Sequence, residues 1–561
     1  MSSMILLNSV LEKLAPSYPS GLSDDDLFEF YCADNILANY DLDHTEVQSG
    51  IVDGSQDGGI DAAYVFVNRI LLTEDFKFDT IKGPVEIELI VIQAKNVANF
   101  KEAPVDKLTA SVPLLLSHDV DPKDLEATFK PEVIKIFRSF LDAMHQLAGE
   151  FPTVGIRIYY CCKGDAVPVA VTTKADALAA NLGTSFKNVE FSTLGAQQLY
   201  ERSGAQKRLV KELPTVGSPM SGTNSYVTLC RLKNYVDFIS DAKGELISRI
   251  FDANVRAYQG GVEVNKEIAK SVKEPSAGVD FWWLNNGVTI VADKATFMSN
   301  RLVIENPLIV NGLQTSYELY NNGKSIVDTD ERMVLVRVIV ENDQIKRDEI
   351  IRATNRQTGL KHSSFRATEP VHKEIEDYFL TQGYFYDRRR NHYKREGKPA
   401  DKIIGIDRLA QAVLAVLLQE PHTARARPTT AIRDDADYKR IFSGDKAQHP
   451  LPLYGVATKL LSAVDEYFKS LAGTTAQIHR NNLRFHTLMV LGWALNGGTT
   501  LPALKMPHLD TSKATTDQLK AVTNWVIAEF ESAGPADKTA KEAAFTNRLK
   551  ANWKESVTKV S

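Results

Sequence analysis

Asp57-Gly58-Gly59-Ile60-Asp61 and, downstream, Val91-Ile92-Gln93-Ala94-Lys95 decide how the first part of this chain is read. A carboxylate after a glycine turn, followed by Gln-X-Lys at the end of an apolar strand, can hold a divalent cation against a phosphodiester. Hydrolysing that bond needs an activated water, an offset for the developing phosphorane charge and a stabilised leaving oxygen. A hard cation bound by carboxylates serves all three. Asp61 is the natural ligand. Side chains alternate along a strand with period two, so Gln93 and Lys95 share a face and converge on one phosphate. Lys95 is expected to neutralise charge or orient water. Gln93 is expected to complete the coordination through an amide oxygen that carries no charge, which weakens metal affinity relative to an acid. The plainer reading, in which Asp61 caps a turn and Lys95 is a solvated strand end, stands beside this one.

The flanking pattern supports two neighbouring strands. Ile87-Glu88-Leu89-Ile90-Val91-Ile92 is a nearly continuous apolar run, as expected of a strand buried on both faces of a mixed sheet. Asp61-Ala62-Ala63-Tyr64-Val65-Phe66-Val67 reads as the preceding strand, joined to it through a polar excursion. These residues resemble the core of the PD-(D/E)XK nuclease superfamily, in the Mrr-like variant whose second half reads Gln-X-Lys. The resemblance spans roughly the first two hundred residues. It implies a restriction-endonuclease-like mixed sheet flanked by helices, and Mg²⁺ or Mn²⁺ held by Asp61, Gln93 and an acid on the first helix. Glu29, in the helix opened by Asp24-Asp25-Asp26, is the candidate for that acid.

At 561 residues the chain exceeds one hydrophobic core, and 43% hydrophobic with 24% charged residues is ordinary for a folded protein. A net charge of -5 gives no overall basic field, so a polyanion must be met by local positive patches. Cys32, Cys161, Cys162 and Cys230 have neither zinc spacing nor the pairing of a secreted disulfide framework. With no secretory signal and no apolar run of about twenty residues, the expectation is a soluble, cytoplasmic protein without a membrane partner.

Along the chain, an α/β pattern runs to a turn-rich stretch at Leu213–Gly222, and from about Tyr454 the pattern is helical. The expected organisation is α/β multidomain: a nuclease-like domain over 1–212, a central α/β module over 223–440 and a helical region over 450–561. The C-terminal helices have apolar faces that complete the core or build a homodimer.

The middle region carries ordered motifs: Asn254-Val255-Arg256-Ala257-Tyr258, Val264-Asn265, Phe281-Trp282-Trp283-Leu284-Asn285-Asn286-Gly287, Asn306-Pro307-Leu308-Ile309-Val310-Asn311-Gly312-Leu313-Gln314-Thr315-Ser316, Ala353-Thr354-Asn355-Arg356-Gln357 and Tyr384-Phe385-Tyr386-Asp387-Arg388-Arg389-Arg390. In this order they resemble the AIPR family, named for abortive infection and phage resistance. The resemblance implies a bacterial defence role, often with a nuclease-like N-terminal part. Asn and Gly after apolar strands suit turns with positive φ. Asn285, Asn286, Asn311, Gln314, Thr315, Asn355 and Gln357 form an expected uncharged pocket for a base edge, a ribose or a phosphate; the alternative is that they only cap loops. Arg388, Arg389, Arg390, Lys394 and Arg395 interleave with Tyr384, Tyr386, His392 and Tyr393, a pattern that suits phosphates and unpaired bases. Arg425, Arg427 and Arg433 extend that surface. The Trp282-Trp283 pair reads as core. Asn322-Gly323-Lys324-Ser325 lacks the first glycine of a P-loop, and His479 with His486 lacks a third metal ligand.

The sequence therefore points to a metal-dependent endonuclease of prokaryotic antiphage defence acting on DNA or RNA, with a nucleotide or phage-derived trigger sensed by the central module. Gln93 in place of an acid motivates the rival: a catalytically weak nucleic-acid or nucleotide-binding sensor or scaffold.

Overall fold

The computed structural model describes residues 3–40, 42–52, 54, 56–74, 76–78, 81, 85–117, 120–207, 209–241, 244–251, 263–273, 279–323, 326–355, 369–389, 391–426, 432, 434–471 and 474–554. The chain divides into two compact units, Met1–Leu360 with Lys394–Ala400, and Lys361–Tyr393 with Asp401–Ser561.

The first unit opens with a five-stranded mixed sheet of β1 (Ala62–Val67), β2 (Ile70–Leu71), β3 (Glu86–Lys95), β4 (Thr153–Cys162) and β5 (Asn188–Leu194), in the order β2-β1-β3-β4-β5. β1 pairs antiparallel with β2 and β3; β3–β4 and β4–β5 are parallel. The apolar run of β3 is continuous because both faces are covered. Ala63, Val65, Val67, Ile87, Leu89 and Val91 pack with Leu108, Val112, Phe137 and Leu178 on one face. Ala62, Tyr64, Phe66, Ile90, Ile92 and Ala94 pack with Phe28, Tyr31, Cys32 and Leu199 on the other. Each fully buried Leu, Val or Phe contributes about 1.5–3 kcal/mol of transfer free energy, so the register that buries both sets is strongly fixed. That register pairs Ala62 with Ile92. It brings Asp61 beside the C-terminal end of β3.

The turn-rich stretch 213–222 carries the end of β6 (Val210–Pro214) and the short β7 (Met220–Gly222). β6 pairs with β11 (Arg301–Glu305), which also pairs with β10 (Lys294–Met298). A second five-stranded sheet follows the order β12-β9-β13-β8-β7, with β8 at Ser225–Arg231, β9 at Val288–Ala292, β12 at Leu308–Asn311 and β13 at Met333–Val340. Only β13–β9 is parallel among its pairs. Helices Leu232–Ile239 and Leu313–Asn321 supply Leu232, Tyr235, Phe238, Leu313 and Leu319 to its core.

Among its described residues the second unit is helical, apart from the two short parallel strands β14 (Phe385–Asp387) and β15 (Ile403–Gly405). Helices Ile406–Val416, Pro452–Ser470, Thr474–Asn496 and Thr516–Ala533 surround a core that includes Leu409, Val413, Leu460, Leu488, Trp493 and Val526. No helix among the described residues is long and apolar enough to cross a membrane.

Candidate active site

Asp57 to Asp61 forms a tight turn. Gly59 N–H donates to Asp57 Oδ1 at 2.7 Å and Ile60 N–H to Asp57 O at 3.2 Å, while Ser111 Oγ donates to Gly58 O at 2.6 Å. Gly58 and Gly59 have φ of 69° and 80°, in the left-handed region that favours glycine. The helix Glu102–Leu115 also crowds them. A Cβ on Gly59 would stand 2.8 Å from Lys107 Cβ and 3.2 Å from Gln93 Oε1. Gly59→Ala is therefore expected to lower stability by about 1–3 kcal/mol. Gly149→Ala, at a site with open space and no positive φ, should change it by less than about 0.5 kcal/mol. Chemical denaturation of the two variants checks this.

The turn delivers Asp61 to the face that carries Gln93 and Lys95. Asp61 Oδ2 accepts from Ala94 N–H at 2.6 Å and from Gln93 Nε2. Lys95 Nζ lies 3.2 Å from Oδ1 and 3.3 Å from Oδ2. The structure thus brings together three of the four residues expected to act. Asp61 and Gln93 are buried, whereas the Lys95 side chain is 41% exposed and reaches solvent. Burial pushes the Asp61 carboxyl up to about 6, against the pull of Lys95 and the Ala94 N–H, with Asp57 adding to the rise. Gln93 Oε1 is buried with no hydrogen-bond partner, an oxygen donor held beside a carboxylate.

Glu29 sits on the helix Asp24–Ile36, which covers the opposite face of the sheet. Burial raises the Cys32 thiol on that helix, and Cys161, Asp61 and Glu29 add to the rise, so both carboxylates act on one point. Among the described residues, no group of three or more His, Cys, Asp or Glu side chains is placed to hold a metal ion. The donors that fit a hard cation are one carboxylate and one amide oxygen; a six-coordinate ion would take the rest from water and phosphate. Lys107, exposed, has its stem against Gly59 at the edge of this site, and no sequence motif marks it. Its only signal in the sequence is helical spacing from Ser111, which holds the turn.

In the second sheet the two Asn-Gly turns pack against each other. A Cβ on Gly312 (φ 95°) would lie 2.9 Å from Gly287 O and 2.8 Å from Val288 Cγ2. Asn285 Nδ2 donates to Phe281 O and Asn311 Nδ2 to Thr354 O, both at 2.8 Å, so these two amides brace loops. Asn286 is exposed, Thr315 is buried, and Gln314 Oε1 is buried without a partner. Asn355 ends the helix Gln344–Asn355. Gln357, Arg356 and 254–258 lie outside the described residues. Trp283 corrects a sequence expectation: it is 61% exposed, and Phe281 is the ring that enters the core.

The basic stretch is divided. Arg388 is almost fully buried, its Nε 2.5 Å from Glu376 Oε2, and Arg389 Nη2 lies 3.3 Å from Glu376 Oε1. Tyr386 and Tyr393 are buried as well. Burial withdraws Arg388 and both rings from a nucleic-acid surface. Lys394 Nζ pairs with Asp34 Oδ1 at 2.7 Å and donates to Leu42 O. Arg395 is exposed, and Arg390, Arg427 and Arg433 lie outside the described residues. His486 is fully buried against Phe545, and His479 Nε2 lies 3.3 Å from Glu531 Oε1.

No curated protein and no solved structure matches the chain. A family model described as AIPR protein matches residues 251–532, which carry the two Asn-Gly turns, the Tyr384–Arg389 stretch and most of the helical unit. On that match over half of its length, the chain belongs to the AIPR family, whose role is phage defence by abortive infection.

Proposed function

We propose that the protein is a metal-dependent phosphodiesterase of phage defence, cleaving DNA or RNA at the Asp61 site. The observation that carries the reading is the convergence of Asp61, Gln93 and Lys95 on one sheet face, with a buried carboxylate that holds its proton up to about pH 6 and a buried amide oxygen left open. Bound Mg²⁺ or Mn²⁺ would supply Lewis acidity and a nucleophilic water, with Asp61 and Gln93 as its holders. Lys95, free to reach solvent, meets the scissile phosphate and offsets its developing charge. The adjacent Asn-Gly turns, with exposed Trp283 beside them, suit recognition of a nucleotide-like trigger.

A second reading has its own observation. Gln93 brings no charge, and the carboxylate count at the site is low, which favours a sensor that binds nucleic acid and cleaves it poorly. Labelled single- and double-stranded DNA and RNA, incubated with Mg²⁺ or Mn²⁺, separate the two. Metal-dependent cleavage that Lys95→Ala lowers by roughly a hundredfold supports the enzyme. Binding without cleavage in every arm supports the sensor.

A further inference from the structure

The turn that delivers Asp61 is clasped from two sides, and each side lays a lysine over a glycine. On one side the helix Glu102–Leu115 places the Lys107 stem against Gly59. A Cβ on Gly59 would stand 2.8 Å from Lys107 Cβ and 3.4 Å from its Cδ, with Gln93 Oε1 3.2 Å from the same point. The Lys107 ammonium is two bonds beyond that Cδ, within reach of a phosphate next to one held at Gln93. On the other side, Lys130 N–H donates to Gln56 O at 3.0 Å, and the Phe129 ring packs on Gly58, with Cε1 2.8 Å from where a Cβ would be. Lys130 Nζ then lies over Gly54, 2.8 Å from the position of a Cβ. Gly54 and Gly59 have φ of 108° and 80°, and their lack of a side chain admits the two lysines.

Three ammonium groups therefore follow one turn: Lys95 at Asp61, Lys107 at Gly59 and Lys130 at Gly54. Lys95 is paired with Asp61. Among the described residues, the ammonium groups of Lys107 and Lys130 have neither an ion pair nor a hydrogen bond. Lysines that brace this domain are matched differently. Lys174 takes both acids of the helix that carries Lys107, Glu102 and Asp106, and Lys135 takes Glu74. Asp57, within the turn, commits Oδ1 to Gly59 N–H. Exposed lysines without partners are common on protein surfaces. What distinguishes these two is the glycine beneath each, which brings a point charge suited to phosphate onto the turn that carries Asp61. In a chain of net charge -5, a polyanion must be met by such local groups.

We propose that Lys107 and Lys130 bind the backbone phosphates that flank the scissile linkage, so that the Asp61 site takes a polynucleotide strand rather than a mononucleotide. The inference rests on the reading of Asp61 as a phosphodiesterase site, and binding tests it. Full-length protein is titrated with short labelled DNA and RNA, single- and double-stranded, in Ca²⁺ over a range of salt concentrations. At least one of them is expected to bind with an affinity that falls as salt rises. Lys107→Met combined with Lys130→Met keeps both stems and removes both charges. It should weaken that binding roughly tenfold and lower the slope of log affinity against log salt by about 1.4–1.8, at about 0.7–0.9 per phosphate contact. Lys107→Arg with Lys130→Arg should restore both. Lys187→Met, exposed before β5 at the opposite end of the parallel strands, should change neither. No binding by the wild type, an unchanged slope in the double Met variant, or an equal loss with Lys187→Met would each overturn the strand path. Cleavage measured in parallel keeps the two readings apart. Cleavage with an unchanged slope removes the lysines and leaves the Asp61 site; a lowered slope without cleavage removes the enzyme and leaves the strand path.

Discussion

Asp61→Asn is expected to raise the melting temperature of the protein while lowering metal-dependent cleavage by roughly a hundred- to a thousandfold. The stability half follows from the carboxyl's environment. Its proton is released near pH 6 in the folded chain, against an ordinary value of 3.8. Between those limits the folded protein binds a proton that the unfolded one has lost, so the contribution of Asp61 to stability falls as pH rises through that window and is level above it. At neutral pH the buried charge therefore costs on the order of 1–3 kcal/mol. Asparagine keeps an acceptor for the Ala94 N–H and removes the charge. Lys95, largely hydrated, loses little with its partner. The activity half follows because an amide cannot replace the one carboxylate among the site's converging donors. Thermal melts at pH 7 and pH 4.5 test the first half: the gap between Asp61→Asn and wild type should shrink at the lower pH. An equal or wider gap at pH 4.5 would show that Asp61 is not the strained group.

The same titration predicts how activity depends on pH. The reaction needs the carboxylate, so kcat/KM should fall about tenfold per unit below a midpoint near pH 6 at low metal concentration. Raising Mg²⁺ should move that midpoint downward, since a cation favours the charged form.

The placement of Asp61, Gln93 and Lys95 was legible because it depends on period-two alternation and on one register, and both are written in the apolar runs of β1 and β3. The helices of the C-terminal region were legible for a similar reason, since their apolar spacing is local. Other features depend on partners remote in sequence. Trp283 follows Phe281, but only the second sheet decides which ring of that aromatic run turns inward. Arg388-Arg389-Arg390 looks like a solvated face until the helix Pro370–Thr381 places Glu376 beneath it. Arg408 and Arg484 stand far apart in the sequence and meet only through helix packing around Asp465. Charge pairing across such distances has no periodic signature.

Arg388→Ala should act on stability rather than on nucleic-acid affinity. The Arg388 side chain is 4% exposed and its partner Glu376 is 9% exposed. Removing one member of a buried pair leaves the other charge without its main counter-ion, which costs about 3–5 kcal/mol. Arg389 at 3.3 Å and the Tyr393 hydroxyl at 3.0 Å still contact Glu376 and soften the loss without replacing a buried guanidinium. For a unit of this size the melting temperature should fall by roughly 10 °C. Arg395→Ala, at an exposed position, should melt within about 0.5 kcal/mol of wild type; any nucleic-acid role of this stretch would show there, as weaker binding with a flatter salt dependence. Replacing both members of the buried pair, Arg388→Met with Glu376→Leu, should recover most of the loss, because well-packed apolar groups substitute for buried ion pairs at little net cost. An Arg388→Ala protein that melts like the wild type would mean that Arg388 is not held in the core by Glu376.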